Sequence, residues 1–150
     1  MIAFSIFVLA LVGLVISLYF TFAYYGRVKK SRWIPEILCA REGSSCVTVV
    51  QMPYARVFGA PNSLLGILYY LLLVGWAFIP RTLLLFVAGL PVRLAHAALW
   101  AIVPISVATV LLGFYLIYAL RRILHVDCPL CYTVHAINLA IFVLLLAAAW

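Results

Sequence analysis

Four cysteines carry the chemistry this sequence offers. Cys128 and Cys131 stand three apart in Asp127-Cys128-Pro129-Leu130-Cys131-Tyr132, and Cys39 and Cys46 flank the six residues Ala-Arg-Glu-Gly-Ser-Ser. On a first helical turn, thiols at i and i+3 share one face about 5–6 Å apart, within reach of a disulfide. Pro129 suits that turn, where its missing N–H has no intrahelical partner to lose. The partial positive charge of a helix start favours thiolate, the reactive form, and Asp127 opposes it. Three readings are open: unpaired packing thiols, a four-cysteine metal site, and a dithiol/disulfide centre. All four cysteines lie at helix ends or in a polar loop, whereas inert thiols belong inside apolar runs. A structural zinc site prefers two short pairs with spacings of about 2–4, and a C-x6-C pair departs from that. Thiol–disulfide exchange, in which a thiolate attacks through a mixed intermediate, makes use of both pairs. The Gly43-Ser44-Ser45 hinge lets Cys39/Cys46 move between an outside dithiol and the helix pair. The second helix thiol then points deeper, toward a lipid-soluble carrier such as a quinone. The alternative is a metal-binding or structural membrane protein that uses the four cysteines as ligands.

The elements that position these thiols are read from composition. Of 150 residues, 69% are hydrophobic and 9% charged, against roughly 25% charged in an ordinary soluble domain. Mean hydropathy is +1.28. Charged residues leave four long gaps, Ile2–Tyr25, Val57–Pro80, Leu94–Leu120 and Cys128–Trp150. Each meets the roughly 20 residues a bilayer-spanning helix needs, and helices satisfy their own backbone in lipid. The expected fold is an all-α membrane protein, a four-transmembrane-helix bundle, with residues 1–150 as one integral membrane domain. The first gap lacks a basic start and, at 24 residues, exceeds a signal-peptide core, so it is expected to be retained as a spanning helix. The net charge of +7 sits beside the spanning segments, which points to anionic lipid headgroups and not to nucleic acid.

In order, helix one runs from about Ile2 to Tyr25 and ends in Tyr19, Phe20, Phe22, Tyr24 and Tyr25, an aromatic belt. A polar, cysteine-bearing loop follows from about Gly26 to Ala60. Pro61-Asn62-Ser63 reads as a polar cap before helix two, about Asn62 to Ile79. The apolar stretch Thr82–Val92 is too short to span and reads as an interfacial or re-entrant piece. Helix three covers about Ala97 to Leu120, with a mild kink at Pro104. After a turn of Arg121, Arg122 and His125, helix four begins at the C-x-x-C. Four crossings put both cysteine pairs on one membrane face. His135, one turn past Cys131, shares its side of the helix. A polar residue there is costly and often functional, the alternative being a packing histidine bonded to a carbonyl. Trp33, Trp76, Trp100 and Trp150 read as interface anchors.

The C-x6-C, then Pro53-Tyr54-Ala55-Arg56-Val57-Phe58-Gly59-Ala60-Pro61-Asn62-Ser63-Leu64-Leu65-Gly66, then Cys128-Pro129-Leu130-Cys131 with Ala136-Ile137-Asn138, resemble vitamin K epoxide reductase and its prokaryotic homologues over most of the chain. The resemblance implies a four-helix bundle around a quinone of menaquinone, ubiquinone or vitamin K type. It implies that Cys131 exchanges with quinone, that Cys128 bridges transiently to Cys46, and that Cys39 takes electrons from a thioredoxin-like partner. It also implies that Asn62 hydrogen-bonds a quinone oxygen, with His135 where some members carry a Tyr doing the same. Two departures stand out. Met52 occupies a position that is Ser in many prokaryotic members. No fused thioredoxin-like domain follows helix four, so a separate partner protein is expected. The bacterial four-helix disulfide generator linked to quinone has its C-x-x-C in the first polar loop and the wider pair in the second, the reverse of the order here.

Arg27, Lys29, Lys30, Arg32, Arg41, Arg56, Arg121 and Arg122 fall on the cysteine side, against Arg81 and Arg93 opposite. The positive-inside rule therefore expects a multi-pass cell-membrane protein with its cysteines facing the cytoplasm. The usual family orientation is the reverse. Disulfide formation on that side fits an organism that stabilises intracellular proteins with disulfides, as hyperthermophiles do. An impermeant thiol reagent applied to intact cells is expected to leave Cys46 unlabelled, and labelling from outside would refute the inverted orientation.

Overall fold

The computed structural model describes residues 2–25, 27, 46–57, 59–78 and 92–149. Helix α1 is Ile2–Tyr24 and a short helix, α2, is Cys46–Gln51. A 3-10 turn, Pro53–Ala55, leads to strand β1, Arg56–Val57, which pairs antiparallel with β2, Ala60–Pro61. Gly59 closes that hairpin with φ +83°, a conformation that suits a residue without Cβ. Helix α3 is Asn62–Phe78, α4 is Val92–Tyr118, a π-helical turn covers Ala119–Leu124, and α5 is Pro129–Ala149.

Three of these helical stretches are long and apolar enough to cross a membrane: α1, α4 with its π-helical extension, and α5. Helix α3 is also apolar, but its 17 residues rise only about 26 Å, against roughly 30 Å of hydrocarbon. Length and apolarity thus establish three spans among the described residues, where the charge gaps predict four. The apolar stretch Thr82–Val92 lies outside the described residues apart from Val92, which opens α4. That helix starts five residues before the expected Ala97. It takes in Arg93 and His96, because a charge near a helix end need not break the helix. It also runs unbroken through Pro104.

The inward face of α1 is marked by size. Its buried positions, Ile6, Ala10, Gly13, Ser17, Phe20 and Ala23, recur every three or four residues, and four of the six are small. Lipid supplies no hydrophobic drive between helices, so close backbone approach through small residues holds them together. Accordingly α1 packs along both α3 and α5, and α5 packs along α4. A Cβ at Gly13 would run into the Tyr70 ring, and one at Gly66 would lie 2.8 Å from Ser17 Oγ. Side-chain hydrogen bonds add to this packing. The Thr21 hydroxyl bonds the Ser17 carbonyl (2.9 Å) and Ser63 Oγ (2.9 Å), joining α1 to α3. Ser106 donates to the Ile102 carbonyl at 3.1 Å, so Tyr69 donates to Ser106 Oγ across 3.0 Å, joining α3 to α4.

Two buried clusters result. One, deep in the bundle, gathers Ile6, Tyr70, Leu73, Ile102, Ile141 and Leu145 with their neighbours. The other, at the end where α5 begins, gathers Phe20, Val49, Val50, Leu120 and Cys128. Phe20 is therefore not part of the expected aromatic belt. It turns inward at 7% exposure, while Phe22 and Tyr25 are exposed. Trp76 likewise packs against the deep cluster, whereas Trp100 is exposed. Gly13→Ala is expected to lower stability by about 1–3 kcal/mol, the usual cost of overpacking. Thermal unfolding in detergent checks this, and an unchanged melting curve would contradict the packing described.

Candidate functional site

The chain reaches the C-x-x-C through a tightly set turn. The π-helical turn ends on His125, in the left-handed conformation at φ 50°. The Val126 N–H then bonds back to the Leu120 carbonyl at 3.1 Å, a helix-ending arrangement. The turn aims Leu120 inward and leaves Arg121 and Arg122 exposed. Across it, the Tyr132 hydroxyl donates to Asp127 Oδ1 (3.0 Å) and accepts from Arg121 Nε (3.4 Å). The Arg121 guanidinium also lies 5.2 Å from the Tyr132 ring centroid.

Pro129 occupies the first helical position, as the spacing predicts. Cys128 is the capping residue. Its Sγ accepts the Cys131 N–H at 3.4 Å, and its carbonyl accepts the Tyr132 N–H at 3.1 Å. Cys128 and Cys131 are joined in a disulfide with Cα atoms 5.3 Å apart, inside the expected 5–6 Å. Cys128 is buried at 1% exposure among Phe20, Val49, Val50 and Leu120. Cys131 is half-buried and faces a cavity.

That cavity holds about 990 Å³ of empty space, open mouth included. Its wall is mainly apolar, with Phe20, Val50, Leu65, Leu112, Leu116 and Val134 among the lining residues. Cys131, His135 and Asn138, at i, i+4 and i+7 of α5, reach it from one side, and Asn62 reaches it from the start of α3. Asn62 Nδ2 and Oδ1 and His135 Nδ1 are buried with no hydrogen-bond partner. The expected cap at Pro61-Asn62-Ser63 is thus corrected. The helix does start at Asn62, but the Asn62 amide caps nothing and stays free in the cavity. Gly113 makes room for the imidazole, since a Cβ there would lie 2.8 Å from His135 Nδ1.

The sequence-selected residues Asn62, Cys131 and His135 therefore meet at one cavity. Cys128 sits behind it, against the helix that Cys46 opens. Cys39 lies outside the described residues. Among the described residues, no group of three or more His, Cys, Asp or Glu side chains is arranged to hold a metal. Sequence reasoning passed over Tyr70, whose hydroxyl donates to Asn138 Oδ1 at 2.6 Å on the cavity wall. Its only available signal was a tyrosine inside an apolar run. Gly113 was likewise unmarked, and Gly66 entered only as the last residue of the Pro53–Gly66 motif.

A fit to the acceptor that the resemblance implies can be judged from these atoms. An apolar cavity with an amide and an imidazole lacking partners suits a flat apolar molecule bearing carbonyl oxygens. The family model described as the vitamin K epoxide reductase family matches residues 4–146, nearly the whole chain. No curated protein matches it.

Proposed function

The chain belongs to the vitamin K epoxide reductase family, and from that premise we propose that it is a quinone-linked thiol oxidoreductase that generates disulfides. The observation that carries this reading is the position of Cys131. One sulfur of a disulfide lines an apolar cavity in which the buried Asn62 amide and His135 Nδ1 lack partners. Such groups carry a desolvation cost that a hydrogen-bonding ligand relieves.

Asn62 and His135 hold the ring in place, and the apolar wall excludes water. A bound quinone supplies an acceptor for two electrons and two protons. On the other side, a thioredoxin-like partner presents two thiols to a Cys39–Cys46 disulfide. One partner thiolate attacks Cys39 and the second resolves the mixed disulfide, leaving the partner oxidised and Cys39 and Cys46 as thiols. The Cys46 thiolate then attacks Cys128 and displaces Cys131 as a thiolate. Attack by Cys39 on Cys46 restores the loop disulfide and leaves Cys128 and Cys131 reduced. Those two thiols hold the electron pair and the two protons that leave through the cavity, and the Cys128–Cys131 bond re-forms. The burial of Cys128 beside Val49 and Val50, just after Cys46, supports this order of exchange. The Cys131 N–H on Cys128 Sγ supports the last exchange, since an amide donor stabilises the Cys128 thiolate that attack by Cys39 on Cys46 displaces.

In this reading α3 makes a fourth crossing, so that the cysteine-bearing loop and the start of α5 share a face. That face is the cytoplasmic one, on the strength of the basic-residue asymmetry. Purified protein given a dithiol is expected to reduce added quinone. Cys131→Ala should lower the rate by at least about 10³-fold, since removing a nucleophile leaves only binding contributions. Unchanged turnover in that variant would overturn the reading.

A further inference from the structure

Asn138 has no task in the relay just described, yet its surroundings are specific. It sits on α5 seven residues past Cys131 and three past His135, on the same cavity-lining face. Helical rise places it about 10 Å below the sulfur level. It is only 6% exposed. Its Oδ1 is taken by the Tyr70 hydroxyl at 2.6 Å, and no described residue accepts a hydrogen bond from its Nδ2. The other polar groups at this depth are committed. Tyr69 donates to Ser106, Ser106 to the Ile102 carbonyl, and Thr109 to the Ile105 carbonyl.

Tyr70 in turn is held in place. Its ring lies over Gly13 of α1, where any Cβ would collide with it, and it is 1% exposed. A fixed donor on one side of an amide fixes the other side too. With Oδ1 bound to Tyr70, Nδ2 is the amide atom left for the cavity. The cavity thus carries hydrogen-bonding groups along its depth: Asn62 at the start of α3, beside the Thr21–Ser63 bond and so toward the disulfide end, His135 one turn of α5 past Cys131, and Asn138 nearly a turn further. Leucines 65, 112 and 116 line the wall around them. That pattern fits a flat apolar body with an acceptor at each end.

Resting on the quinone reading above, we propose that Asn138 is a further ligand contact, its amide nitrogen donating to the far carbonyl of a para-quinone, and that Tyr70 is the positioning residue that aims it. Asn62 serves the carbonyl nearer Cys131, and His135 lies between the two ends. An ortho-quinone, whose oxygens are adjacent, cannot reach both Asn62 and Asn138.

The test is direct binding, read from tryptophan fluorescence during titration of the oxidised, thiol-blocked protein with 2-methyl-1,4-naphthoquinone. Asn138→Leu and Tyr70→Phe break the same inter-helix hydrogen bond, but only the first removes the amide. Asn138→Leu is expected to weaken binding about tenfold, the value of one buried hydrogen bond, and Tyr70→Phe only about threefold. Affinity for 1,2-naphthoquinone should be the same in all three proteins. Asn138→Ala takes the place of the leucine variant if that chain does not fold. Equal losses in the two variants would reduce the bond to a structural tie and overturn the proposal, as would an equal loss for the ortho-quinone. Absence of binding to the unaltered protein would instead bring down the quinone reading, and this inference with it.

Discussion

A helix that begins where hydrocarbon meets water leaves its first backbone N–H groups without intrahelical partners, and this boundary is a poor place to leave them bare. The Cys128-Pro129-Leu130-Cys131 stretch answers that constraint with sulfur. Pro129 removes one donor, and Cys128 Sγ takes the N–H of Cys131. The same three-residue spacing that places the cap brings the two sulfurs together. Backbone satisfaction and redox chemistry are therefore met by one piece of geometry. The position of α5 in the membrane then fixes where the disulfide can act.

The cavity beside it exists because the bundle is tight elsewhere. Small residues on α1 draw α3 and α5 close, and the deep cluster seals the interior below. Helices α3 and α4 stay farther apart and are tied by the Tyr69–Ser106 bond. Space is left between them at the level of Cys131 and His135. Gly113 keeps that space from being filled, since any side chain there would displace the imidazole. Cys128 does not line the cavity but is buried among Phe20, Val49, Val50 and Leu120, which do. One sulfur of the disulfide thus meets the cavity and the other lies behind its wall.

Much of this was legible in the residues themselves. Gaps between charges located α1 and α5 to within a residue, because charge is what a membrane excludes most strongly, while the start of α3 came from Pro61-Asn62-Ser63, five residues inside its gap. The C-x-x-C spacing predicted its own Cα separation, and Pro129 marked the helix start. The start of α4 was misplaced because Arg93 and His96 read as boundary residues. Inward faces were harder to see. In lipid the outer surface is as apolar as the core, so apolar periodicity carries no inside–outside signal. Phe20 consequently read as belt when it is core. Asn62 read as a cap when its amide is free, because capping and ligand-binding asparagines look alike in sequence. The Tyr70–Asn138 bond joins residues 68 apart, which no local pattern can reveal.

The central claim is that the loop cysteines meet the start of α5 at one membrane boundary. A chain carrying Cys39→Ala and Cys131→Ala keeps only Cys46 and Cys128. Mass analysis of that protein after oxidation and thiol alkylation, followed by peptide mapping, reads their contact directly. The account predicts a single Cys46–Cys128 disulfide that takes up alkylating reagent only after reduction. Two freely alkylated thiols in the folded, membrane-extracted protein would contradict it.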